Sequence, residues 1–482
     1  MKKATLFAML IAATIVALSG TSGATGIDPT KFYSISNSDV STALWTVDPQ
    51  SAAIAKVADL TLPGGGTPNF MTNTIAFSPS NTLYGWDTAS KRLYNIDLST
   101  GQINYIGSAG INSSMDTNLI NGMSFVKTGA DTATLYGITG ATDKLYSINT
   151  VTGAATAAGD SYTNIKHVGM AVNFGTNQLY AVSGWADGMP DYLLKINPNP
   201  IPIVTPGTIP NTGDYAFSQT SGVSGLGNSV HNGYIHLDGN ADGGVMGSVK
   251  AERTISGMPS SGYAKLKFNV TVDGPWQSRI HIDLKDASGN YYRFTAADSA
   301  AHPALVKHVG GSVDSIFTSS GFGNFSTGNI LVEIFWDPTY MKLMVNGVEV
   351  ARFDTPNITM INPTSLAIAA YRLETDWESI EIEPGVAQIA GVLGTDYGDV
   401  STEFDPISGK LYTVRDSYRL YSLDIDSGAA TLVANLGEGF HSTNLAHSWP
   451  TDTAPVPEPG TLVLLGSGLI GLAGYGRKMF RK

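Results

Sequence analysis

The chain has 482 residues, 42% of them hydrophobic and 14% charged, with 54 glycines, no cysteine and a formal charge of −12. That length accommodates two domains with cores of their own. The missing cysteines exclude disulfides, thiolate metal sites and cysteine nucleophiles, and the acidic balance excludes nucleic acid as a partner, because that binding runs through basic patches.

At the start, Lys2 and Lys3 precede an apolar stretch from Ala4 to Leu18 and the small residues Ser19–Ala24. This is the pattern of a secretory signal peptide over residues 1–24, cleaved after Ser22-Gly23-Ala24. Without the six Lys and Arg residues near the two ends, the body is close to −18.

A phrase then repeats. Leu83-Tyr84-Gly85 is followed by Leu93-Tyr94-Asn95-Ile96-Asp97 and Thr100-Gly101, and the same order returns at Leu135, Leu145 and Thr152-Gly153. It returns again at Leu411, Leu420 and Ser427-Gly428, with weaker copies beginning at Phe32 and Leu179. Apolar strands precede the later copies: Thr74–Ser78, Gly122–Val126, Val168–Asn173 and Val400–Phe404. Each unit thus reads as four short strands, with Asp/Asn-x-x-Thr-Gly turning the third into the fourth. Four strands per unit predict β-propeller blades. The phrases resemble blades of secreted bacterial WD40-like or quinoprotein-like propellers, and their tyrosines (Tyr84, Tyr94, Tyr136, Tyr146, Tyr412, Tyr421) read as repeat packing.

Five blades are expected, in two segments, residues 27–198 and 385–449. The Phe32 unit lacks an upstream strand, and Ser442–Trp449 is a strand without a unit behind it, so pairing them would close the ring. In the fourth blade the turn after Asn197 is missing, and the fourth strand resumes near Gly385. Residues 199–384 are therefore a guest in that hairpin, entered through the Pro-rich stretch Pro198–Pro210.

The guest also reads as all-β, with strands at Tyr234–Leu237, Ala264–Val272, Ser278–Leu284, Tyr291–Thr295, Asn329–Trp336, Met341–Val345, Glu349–Phe353, Ser365–Ala370 and Trp377–Glu383. Tyr291-Tyr292-Arg293-Phe294, the hairpin Val345-Asn346-Gly347-Val348 and the closing Asp376–Glu381 together resemble laminin-G-like or concanavalin-like jelly rolls. The resemblance implies a β-sandwich whose termini lie side by side, as a guest domain requires.

Few residues offer chemistry. Asp238, Asn240 and Asp242 match the start of an oxygen-ligand calcium loop, but position twelve is Val249 where a bidentate glutamate is wanted. The plainer reading is a Gly-rich hairpin, and calcium is the one metal worth testing. The eight histidines show no metal spacing, although His236 and His281 lie on strands that could be neighbours. Asp283, Glu333, Glu349, Asp376 and Glu378 lack the spaced carboxylate motif of jelly-roll endoglucanases. No Ser-His-Asp order or G-x-S-x-G elbow occurs either. A non-enzyme is expected.

Aromatics are better binding candidates, since sugar C–H faces pack on them beside polar groups. Trp336 and Trp377 read as core, whereas Trp276, Tyr340 and Tyr371 lie near loops and are the candidate ligand contacts. Tyr291 and Tyr292 must point to opposite faces, which puts one of them outside.

After a linker at residues 450–456, the last segment, residues 457–482, orders three elements: Pro457-Glu458-Pro459, an apolar Gly-rich run from Thr461 to Gly476, and a basic end of Arg477, Lys478, Arg481 and Lys482. This order resembles the PEP-CTERM sorting tails of exported bacterial proteins. It implies recognition by a membrane-embedded exosortase and a destination at the cell surface, outer envelope or extracellular matrix of a Gram-negative-type bacterium. A spanning helix needs roughly 20 apolar residues, so this run is at the short edge. Its glycines favour docking to another helix, with the basic end held on the cytoplasmic side. An ordinary membrane anchor is the alternative.

The expected protein is thus an all-β, exported surface protein: a five-bladed propeller, a sandwich in blade four and a C-terminal hydrophobic helix. The sandwich is expected to bind exopolysaccharide or another envelope component. The rival readings are a glycan-active lyase or hydrolase, and a structural matrix protein without ligand.

Overall fold

The computed structural model describes residues 26–450 apart from short internal segments, the longest being 109–119, 201–213 and 318–327. The expected signal peptide, most of the expected linker into the guest, and the C-terminal segment with its predicted helix lie outside the described residues. Among the described residues no helix is long and apolar enough to cross a membrane.

Five four-stranded antiparallel sheets form the ring. Blade two shows the pattern: strands Thr72–Phe77, Leu83–Asp87, Arg92–Asp97 and Gln102–Ser108. Its inner strand touches the inner strands of its neighbours, and the five inner strands meet in cyclic order. The leucine at or near the start of the second strand in blades two to five (Leu83, Leu135, Leu179, Leu411) is buried between blades, which is why the Leu-Tyr phrase repeats. The third and fourth strands of every blade slip register at one place, after Leu44, Leu93, Leu145, Leu193 and Leu420. Such a bulge sharpens the local twist, and here it recurs with the repeat.

The predicted turn is also present. Asp97, Asn149 and Asp424 accept backbone hydrogen bonds from residues two or three positions on. Gly101, Gly153 and Gly428 follow at φ of 72°, 73° and 75°, a left-handed conformation that glycine adopts without a Cβ penalty.

Closure is as expected. Residues Ala446–His447 form the inner strand of blade one, with Phe32 opposite His447 and Tyr33 opposite Ala446. At this seam Glu403 is buried, 4% exposed. Its carboxyl oxygens accept hydrogen bonds from the amides of Phe404 at 2.8 Å and His447 at 3.3 Å. Burial raises its carboxyl to about 8, so it is uncharged at neutral pH.

Blade four pairs Tyr192–Ile196 with Ala387–Val392, and the Asn197 amide donates to the Val386 carbonyl at 2.7 Å. In blade three the Asn149 amide donates to Ala154 in the same way, at 2.8 Å. Residues 198–385 thus stand where blade three has only Thr150-Val151-Thr152-Gly153. Grafting that turn in their place should leave a cooperatively unfolding ring, as calorimetry would read. A broad, non-cooperative transition would show that the ring depends on the guest.

The guest contributes two seven-stranded antiparallel sheets. Sheet I contains, in spatial order, residues 216–219, 248–254, 365–371, 279–285, 291–297, 303–309 and 312–317. Sheet II contains 227–231, 234–238, 374–384, 262–272, 328–336, 340–345 and 348–354. Their inner faces enclose one core in which Phe268, Trp336, Trp377, Tyr292 and Phe294 are fully buried. Asn346 and Gly347, at φ of 49° and 80°, make the tight turn expected of an Asn-Gly hairpin. Five of these strands (216–219, 227–231, 248–254, 303–309 and 312–317) have no counterpart in the sequence reading. Most are polar or lie at sheet edges, where apolar alternation is weak.

Candidate functional site

Because side chains alternate along a strand, the residues between the core positions of sheet I line its outer face. Cross-strand register arranges them in rows. One row runs Ser248, Tyr371, Arg279 and Ala297, and the next Lys250, Ala369, His281 and Thr295. A third runs Glu252, Ala367, Asp283, Arg293 and Val306, and a fourth Thr254, Ser365, Lys285, Tyr291 and His308. Ala367 and Ala369 therefore make a low floor, partly open at Ala369 and covered at Ala367, which is 2% exposed, with larger side chains on the strands to either side.

Those side chains hold one another in place. Arg293 donates to both oxygens of Asp283, at 2.7 and 2.8 Å, a two-point geometry that fixes both planes. The Asp283 side chain is only 5% exposed, and it holds the Arg293 guanidinium above its ordinary range. Glu252 accepts from Lys250 at 2.7 Å, Lys285 at 3.0 Å and Ser365 at 3.2 Å. Burial opposes its ionisation, but the two ammonium groups hold its carboxyl down to about 2. Arg279 stacks 4.0 Å above the Tyr371 ring, and Tyr291 lies flat against His308 at 5.0 Å. Two half-exposed aromatics thus stand at opposite corners of an alanine floor, with fixed hydrogen-bonding groups between them.

Sheet II differs. Its outer face carries Asp238, Glu333, Glu349, Glu374, Asp376, Glu378, Glu381 and Glu383 against Lys265, Lys267, Lys342 and Arg352. On it His236 and Asp376 are cross-strand neighbours joined at 2.7 Å through Nδ1. His236, Asp238 and Glu374 bring ligand atoms within 4.8 Å of one another, while burial and Asp238 raise the Glu374 carboxyl. An imidazole beside two carboxylates suits a transition metal better than calcium, which takes oxygen ligands.

The predicted residues are distributed as follows. Tyr371 lies on the sheet I face and Tyr291 is the outward member of its pair, whereas Trp336 and Trp377 are core. Trp276, the side chain of Tyr340 and Asp242 lie outside the described residues. Asp238 and Asn240 form an Asx turn, with the Asn240 amide 2.9 Å from the Asp238 carboxylate. His236 and His281 are not neighbours, since they sit on different sheets and face away from each other across the core. Sequence reasoning missed Lys250, Arg279 and Arg293, whose signal was their alternation with Val249, Ala251, Ile280, Tyr292 and Phe294.

Residues 455–478 match the PEP-CTERM protein-sorting motif family, and no curated protein matches the chain. Among solved structures, the chain is similar to the carbohydrate recognition domain of Emp47p, at 11% identity over 39% of this chain and 94% of that one, TM-score 0.26. It is similar to the carbohydrate binding module CBM66 from Bacillus subtilis, at 9% identity over 34% and 97%, TM-score 0.24. A putative glycosyl hydrolase from Parabacteroides distasonis ATCC 8503 overlaps at 11% identity over 37% and 97%, TM-score 0.23. These likenesses are too distant to say what the present chain binds. The C-terminal match is specific: residues 455–478 are a PEP-CTERM sorting motif, which marks an exported, cell-envelope-associated protein recognised by an exosortase.

Proposed function

We propose that this protein acts by binding and not by catalysis, holding extracellular polysaccharide on the outer face of sheet I while the propeller serves as its platform. The observation that supports this most is the alanine floor between Tyr371 and Tyr291, with Asp283–Arg293, His281 and Thr295 between the aromatics. Sugars are recognised by aromatic faces under their C–H groups together with a few fixed polar partners. Prior immobilisation of those partners lowers the entropic cost of binding. Before processing, the tail would hold the chain at the inner membrane of a Gram-negative-type bacterium, in reach of the exosortase.

The test is a glycan array probed with the full-length protein and with Tyr371→Ala and His281→Ala. Selective binding is expected for the parent, weakened about tenfold or more by each variant, since a lost stacking or hydrogen-bonding partner costs on the order of 1–2 kcal/mol. Unchanged binding by both variants would remove this face from consideration. Absence of any glycan signal would favour a structural matrix protein without ligand.

A further inference from the structure

The two outer faces of the sandwich carry opposite charge. Among the described residues, the face of sheet I has four cations against two carboxylates, while that of sheet II has eight carboxylates against four cations. The whole chain is strongly acidic, at −12, so a positive patch on sheet I runs against the general composition. Its cations also lie in adjoining rows of the face. Lys250 and Arg279 flank strand 365–371 on either side, and Lys285 and Arg293 continue the same face toward Tyr291. The span from Lys250 across Ala369 to His281 is two strand spacings, about 10 Å. Along it, polar and cationic groups border a floor with no side chain larger than a methyl.

We infer that the sheet I face takes an acidic polysaccharide, one bearing carboxylates on its sugar rings. This inference rests on the proposal that the face binds carbohydrate, and it adds the class of sugar. Glu252 and Asp283 each neutralise part of the local charge, but Glu252 is shared by two lysines and Arg279 adds a further cation stacked on Tyr371. A ligand carboxylate beside Arg279 and Lys250 would meet a guanidinium fork and an ammonium shared with Glu252, with Tyr371 placed to stack on the ring that carries it. Sheet II, net negative, would repel the same polymer. The chain would therefore meet a polyanion with one side of the sandwich, and complementarity of this kind sets orientation and association rate more than raw affinity.

The experiment titrates the full-length protein with alginate, polygalacturonate and hyaluronan, each beside its carboxyl-reduced form, at low, physiological and high salt. At least one carboxylated polymer should bind, at least tenfold more tightly than its reduced partner, with affinity falling as salt rises. Lys250→Ala/Arg279→Ala should erase most of that preference, whereas Lys265→Ala/Lys267→Ala on sheet II should not. Equal, salt-insensitive binding of both forms would overturn the acidic-sugar inference and leave the sugar-binding proposal standing. Preference lost with the sheet II variant would overturn the placement on sheet I. Failure to hold any of the six polymers would overturn the inference, and a blank glycan array as well would overturn the proposal beneath it.

Discussion

Titration of Glu403 will cost the ring about 4 kcal/mol between pH 5 and 8.5, and Glu403→Gln will remove most of that loss. The carboxyl is buried at the seam between blades five and one, and that burial raises it to about 8, against about 4.3 for an unfolded glutamate. Its folded value is raised, so its contribution is fully present below the unfolded value and is lost as pH climbs through the folded one. Each unit of that window is worth about 1.4 kcal/mol. His447 pulls the other way, because burial holds its imidazole below the ordinary range. Its penalty falls on the acidic side, below the usual histidine value of about 6.5. Its relief offsets part of the Glu403 loss between pH 5 and 7, and the last ~1.3 kcal/mol, from pH 7 to 8.5, is left to Glu403 alone. The glutamine keeps the bond from Phe404 and loses the longer one from His447, so the variant should be slightly weaker at pH 5 and clearly stronger at pH 8.5. Urea unfolding of both proteins at the two pH values is the check. Parallel profiles would mean that Glu403 is not the titrating group.

The second large effect is steric. At three of the blade–blade contacts the fourth strand of one blade runs against the turn of the next. A Cβ on Gly107 would stand 2.1 Å from the carbonyl oxygen of Thr152, and one on Gly153 would stand 2.6 Å from that of Gly107. The same meeting occurs between Gly391 and Ser427-Gly428, and between Gly101 and the carbonyl of Asp59. The obstructing atoms are backbone, so relief requires moving whole blades apart. Gly107→Ala should therefore cost about 3 kcal/mol, at the upper end for overpacking. Gly153→Ala should cost more, since Gly153 also sits at φ 73°. Gly289→Ala is the control: its φ is 83° but nothing lies within 4 Å of the added carbon, so only the conformational cost of about 1 kcal/mol remains. Thermal or urea unfolding that ranks Gly107→Ala with Gly289→Ala would show that the blades separate more easily than this contact implies.

The ring was legible in the sequence because the same contacts recur in each blade. A leucine enclosed between blades and an Asp/Asn-x-x-Thr-Gly turn each leave a mark at fixed spacing, and the orphan strands at the two ends announced their own pairing. The inter-blade glycine contact was not legible, since Gly107 and Gly153 belong to different repeats and meet only after the ring forms. The guest was half legible. Strands such as Ala264–Val272 alternate strongly, whereas residues 227–231 and 312–317 have no buried apolar side to advertise. Its candidate face was the least readable region. Lys250, Tyr371, Arg279 and Arg293 come from four strands, and only antiparallel register brings them into one surface. Tyr371 was found because it lies near a loop; its partners required the sheet.

The pairing that closes the ring also decides where the protein feels tension. A chain tethered through its C-terminal segment passes any pull to Trp449, two residues beyond the last strand. Trp449 is latched by its amide to the Asn81 side chain at 2.8 Å and by its ring against Phe174 at 5.1 Å. Behind that latch, among the described residues, Ala446 and His447 alone pair with blade one, so a two-residue strand is what a pull meets next. The ring's mechanical fuse is therefore built where the tether attaches.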